Sequence, residues 1–130
     1  MSALSDKQIS VEKARELQKN WISNQGAAIN ASMKMTDVRD FLFDLEELQE
    51  YINMVRDKSK EQGILNPGLR IYFGAYGEEG ERRATVFLQA TKGSNTMMRS
   101  TSTEDGDQEA NNTDIQPLNT VQGGFPPIDY

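Results

Sequence analysis

Leu69-Arg-Ile-Tyr-Phe-Gly-Ala-Tyr76 and, after a short Gly/Glu segment, Arg83-Ala-Thr-Val-Phe-Leu-Gln-Ala-Thr91 are the two runs whose reading decides the fold. Both alternate with the period of two that a β-strand requires, and their proximity makes them a hairpin. In the first run Leu69, Ile71, Phe73 and Ala75 share one face, and Arg70, Tyr72 and Tyr76 share the other. The second run repeats the division, with Ala84, Val86, Leu88 and Ala90 opposed to Arg83, Thr85, Phe87, Gln89 and Thr91. The hairpin therefore has an aliphatic side that asks for a core. Its other side mixes aromatic, hydroxyl and guanidinium groups, and a binding role is expected there.

Working outward, Gly77-Glu-Glu-Gly80 is a tight connection between the strands, and Asn66-Pro67-Gly68 is a turn that delivers the chain into the first of them. Before that turn, Asp44-Leu-Glu-Glu47 has the arrangement in which acids satisfy free amides at a helix start. Leu45, Leu48, Tyr51, Ile52 and Val55 follow at spacings of three and four, and Lys58, Lys60 and Gly63 supply a stop. A helix from Leu45 to about Gln62 is expected, entered from an extended Phe41–Phe43 that could be a third strand. Further upstream, Ser5 and Ser10 look like helix caps, and Val11, Ala14, Leu17 and Trp21 fall on one helical face, so a first helix is expected from about Ser10 to Asn24. Gln25 to Thr36 reads as a loop able to include a helical turn.

Composition divides the chain. Residues 1–92 carry 13 Lys and Arg against 14 Asp and Glu, whereas residues 93–130 carry one Arg against six acids, which together give the net charge of -6. Gly93 to Asn112 is rich in Ser, Thr, Asn, Asp and Gly, a composition that buries too little surface to offset the entropy of ordering it. The organisation expected is one α+β domain over 1–92, an acidic flexible linker over 93–114, and an extended tail over 115–130 able to dock back through Leu118, Val121, Phe125 and Ile128. The fold class is two helices packed on a small antiparallel sheet built around the hairpin.

The chain has no cysteine and no histidine, which removes disulfides, zinc–thiolate sites, a thiol nucleophile and the commonest general base. No cofactor, metal ligand or catalytic residue is assigned. The amino terminus lacks the charged start and apolar core of a signal peptide, and no apolar run approaches the roughly 18 residues of a membrane span. A soluble, cytoplasmic protein without a membrane partner is the expectation. A near-neutral body with an acidic tail also argues against nucleic acid as a partner.

The remaining motifs have plainer readings. Gly74, Gly77 and Gly80 lie between strands beside Glu78, Glu79 and Glu81, where a phosphate cradle would need a helix start and no negative charge. Glu46, Glu47 and Glu50 are the acidic first turn of a helix. Asp105, Asp107 and Glu109 lack the full spacing of a calcium loop, and Tyr130 stands one residue too far from Pro126-Pro127 for a proline-tyrosine ligand.

Three stretches, Ile9-Ser-Val-Glu-Lys-Ala14, Gly68-Leu-Arg-Ile-Tyr-Phe-Gly74 and the glycine-then-double-proline end from Gly123 to Pro127, together resemble a group of small uncharacterised Bacteroidetes proteins. Relatives in that group often flank the double proline with cysteines, and here those places hold Phe125 and Ile128 or Asp129. The resemblance implies no activity, cofactor or site residue. The function expected from the residues themselves is a non-catalytic protein-interaction or accessory module, with a protein partner or self-association through Arg70, Tyr72, Tyr76 and Phe87. The alternative is a small-molecule-binding protein or minimal enzyme with a pocket between the sheet face and the tail.

Overall fold

The computed structural model describes residues 4–77, 82–93 and 109–119. The expected Gly77–Gly80 connection and the double-proline end therefore fall wholly or mainly outside the described residues. Among these residues the chain forms two compact units, 4–40 and the remainder from 41 onward, a division that falls within the stretch the sequence presents as one domain. The class is α+β, with helices and a three-stranded antiparallel sheet.

In the first unit a single turn, α1 (Leu4–Lys7), precedes α2 (Val11–Ser23). The Ser10 hydroxyl accepts a hydrogen bond from the Lys13 amide at 3.0 Å, the N-cap its position announced. Gln25–Met33 is helical throughout (α3), where a loop was expected. Ala27, Ala28 and Ala31 are strong helix formers that carry no apolar period, so the segment propagates as a helix without advertising one. It ends where Lys34 enters the left-handed region at φ 58°. Gly26 allows the close approach at the step from α2 into α3, because a Cβ there would stand 2.9 Å from the Trp21 carbonyl oxygen.

The second unit is built around α4 (Leu45–Glu61), whose Asp44 carboxylate accepts from the Glu47 amide at 3.0 Å. Tyr51, Val55 and Ser59, one turn apart, are its buried face. The hairpin strands are β1 (Leu69–Ala75) and β2 (Ala84–Ala90), paired in the register Ile71 to Leu88, Tyr72 to Phe87 and Phe73 to Val86. The third strand is not Phe41–Phe43, of which Phe41 alone enters an isolated bridge. It is β3 (Leu118–Asn119), which pairs with Phe87 and Leu88 and makes β2 the central strand.

Residues 110–112 extend that pairing. The Asn112 amide donates to the Ala90 carbonyl at 2.9 Å, the Lys92 amide donates to the Ala110 carbonyl at 2.8 Å, and Thr91 bridges Asn111. Part of the stretch expected as a flexible linker is thus a sheet margin. The turn between it and β3 drives Ile115, 1% exposed, into a core of Tyr51, Val55, Leu88 and Ala90, with Phe43, Leu48, Met54 and Leu118 packed around it. Burying Ile115 alone stabilises by roughly 1.5–3 kcal/mol, enough to offset ordering one or two of the residues that carry it.

Candidate functional site

The two faces of β1 fare oppositely. Arg70, Tyr72, Tyr76 and Phe87, named from the alternation, do share one side of the sheet, and each is half-buried. Tyr72 and Phe87 are directly opposed across the strands, so their rings stack with centroids 5.2 Å apart and planes at 22°. Asn111 reaches over from the sheet margin. Its Oδ1 accepts from the Arg70 guanidinium at 2.6 Å, and its Nδ2 donates to the Tyr72 hydroxyl at 2.7 Å. The Tyr76 hydroxyl donates to Thr85 Oγ1 at 3.3 Å, and Asn119 Nδ2 donates to the same oxygen and to the Val86 carbonyl. Gln89 Nε2, buried, donates to the Asn112 carbonyl at 2.8 Å. The polar ends on this side are engaged within the unit, and what they accomplish is to pin residues 111–119 across β2.

The aliphatic face is the one left open. Alternation assigned Leu69, Ile71 and Phe73 to the core, but they are 36%, 65% and 81% exposed. Val86 and Leu88, beside them on the same face, are buried. The physical reason is lateral: α4 lies over β2 and Ile115, so the apolar cover ends before it reaches β1. Near the start of β1, Ile52, Val55 and Arg56 of α4 face Pro67, Gly68 and Leu69 across a shallow cleft of about 80 Å³.

Backbone direction adds to this. The Tyr76 amide donates to the Arg83 carbonyl at 3.2 Å and the Thr91 amide to the Gly68 carbonyl at 2.9 Å, so the even-numbered residues of β1 are the ones that bond to β2. Ladder alternation then turns the N–H and C=O groups of Leu69, Ile71, Phe73 and Ala75 to the outer edge. Among the described residues β1 is an edge strand. The same four residues thus present apolar side chains and unpaired main-chain groups along one line.

Chemical equipment elsewhere is sparse among the described residues. No group of three or more Asp or Glu stands close enough to hold a metal ion, and no helix is long and apolar enough to cross a membrane. Burial pushes the Tyr51 hydroxyl above the ordinary tyrosine value. That hydroxyl donates to the Gln116 carbonyl at 2.8 Å, a structural tie between α4 and the β3 approach. Asn111 and Asn112 are the residues the sequence did not signal, since they sit in a polar run with no period. No family model matches the chain, and neither does any curated protein or solved structure.

Proposed function

We propose that this protein is a non-catalytic interaction module whose contact surface is the outer edge of β1. The observation that carries the reading is the coincidence, on Leu69, Ile71 and Phe73, of exposed apolar side chains with outward main-chain donors and acceptors. Strand addition to an open edge draws affinity from main-chain hydrogen bonds and specificity from alternate side chains, and both are displayed here. Arg70, Tyr72, Tyr76 and Phe87 serve this surface by holding the strand rigid, so less conformational entropy is lost on binding. A relationship to the small Bacteroidetes proteins is part of the proposal; it rests on three short motifs and adds no activity.

The cleft beside Pro67, at about 80 Å³, is by itself well below the roughly 300–1,000 Å³ of small-molecule sites, and the alternative pocket between the sheet face and the tail falls largely outside the described residues. The test is selection of extended peptides from an unbiased displayed library, with the binding site mapped by amide chemical shifts. Binders that perturb Leu69 to Ala75 and are lost in Ile71→Asp support the module. A library that yields no binder, or binders that map only to the cleft, refutes it.

A further inference from the structure

An open edge strand usually carries a device against indiscriminate pairing, such as a lysine, a proline, a bulge or very short length. Among the described residues the other side of this sheet is made of short pieces, residues 110–112 and the two residues of β3. The outward positions of β1, seven residues long, hold Leu69, Ile71, Phe73 and Ala75 and none of these devices. Pro67, which has no amide hydrogen, stands just before the strand and limits pairing at that end. The β1 edge is bounded at one end and apolar along its length.

The bounded edge is complementary to itself. If a second copy lies antiparallel with Tyr72 on the two-fold axis, Leu69 faces the partner's Ala75, and Ile71 faces the partner's Phe73. Each of these pairs joins residues whose main-chain groups point outward, so the exchange of hydrogen bonds is in phase, with up to about eight formed. The only charged side chain of β1, Arg70, falls opposite the partner's Gly74, where no like charge stands. Sliding the register so that Arg70 met itself would set two guanidinium groups face to face, which is destabilising. Tyr72 would meet the partner's Tyr72 beside its Phe87 stack.

From these observations we infer that β1 is closed by the β1 of a second copy in this Tyr72-centred register, joining two three-stranded sheets into one. The inference rests on the interaction-module reading and names its partner. The contact is isologous and uses up the β1 edge of both copies, so at this edge it closes as a dimer. Seven strand residues a side is a small surface against the about 20–30 of a stable complex, so association is expected to be weak and to depend on concentration.

Sedimentation equilibrium of the full chain from about 1 µM to about 1 mM reads this directly. Monomer at the bottom of the range and dimer at the top is expected, with Phe73→Lys weakening association at least about tenfold while leaving the circular dichroism spectrum unchanged. Register is read in a chain that has no native thiol. With a short bifunctional thiol reagent, Leu69→Cys mixed with Ala75→Cys should cross-link, and neither variant alone should do so, because in this register each residue lies about 20 Å from its own copy.

A chain that stays monomeric to about 1 mM overturns the inference, as does a dimer indifferent to Phe73→Lys or one that cross-links through Leu69→Cys alone. If the lysine variant fails to fold, the thiol pair decides. A monomer that still selects strand peptides at β1 removes the second copy and leaves the module reading standing; failure of both experiments removes both.

Discussion

Replacing Tyr51 by phenylalanine separates what its ring contributes from what its hydroxyl contributes. The ring is buried against Val55, Leu88, Ala90 and Ile115, and phenylalanine keeps that packing. The hydroxyl donates to the Gln116 carbonyl at 2.8 Å, with a longer 3.4 Å approach to the buried Leu88 carbonyl, and Gln116 is exposed, so water can replace the shorter bond. The cost at neutral pH should therefore be at the ordinary level for one hydrogen bond, about 0.5–1.5 kcal/mol, and not the larger penalty of a stranded buried carbonyl.

The pH dependence has a definite sign. Burial raises the folded-state pKa of Tyr51 above the unfolded value, so below about pH 10 both states keep the proton and stability is unaffected. Above it the unfolded chain ionises first, and stability is lost as pH climbs through the folded pKa, with a slope of at most about 1.4 kcal/mol per unit for one proton. Urea unfolding of the parent and Tyr51→Phe between pH 8 and 11 measures both effects, and the difference between the proteins cancels the lysines. The parent should lose its advantage over the variant above about pH 10. A difference that is flat with pH, or one that grows in the parent's favour, would refute the burial of the Tyr51 hydroxyl.

Three further substitutions probe separate joints of the second unit. Asn111→Ala removes the bonds to Arg70 and Tyr72, both half-buried and able to recruit water, and should cost about 1–2 kcal/mol in urea unfolding; no measurable change would mean the sheet margin is not held there. Gly93→Ala should cost at least about 2 kcal/mol, because Gly93 sits at φ +69° and a Cβ would collide with the Asn66 carbonyl; an unchanged thermal midpoint would contradict that close approach. Ser59→Ala should be neutral or stabilising by up to about 1 kcal/mol, since its fully buried hydroxyl has no hydrogen-bond partner; a loss above 1 kcal/mol, roughly the worth of a bond, would reveal one.

Local signals account for what the sequence revealed. Asp44 with Glu47, apolar spacing of three and four, and terminal lysines before Gly63 define α4 almost to the residue, because each acts within one turn. Period-two alternation likewise located both hairpin strands and their two faces. It does not encode lateral position. Whether α4 covers β1 and β2, or β2 and β3, is decided by Ile115 and Leu118 more than 50 residues away, and that choice leaves Ile71 and Phe73 exposed. For the same reason Asn111, which ties Arg70 to Tyr72, was unreadable: its role exists only once residues 110–112 lie along β2. In α3 the misreading came from helix formers that lack an apolar stripe.

Amide exchange in β1, followed residue by residue well below the concentration at which the chain associates, tests the open edge most directly. Slow exchange is expected at Arg70, Tyr72 and Gly74, whose N–H groups point to β2, and fast exchange at Ile71, Phe73 and Ala75, whose N–H groups point away. The reverse pattern, or uniform protection along the strand, would show that the proposed contact edge is already occupied within the molecule.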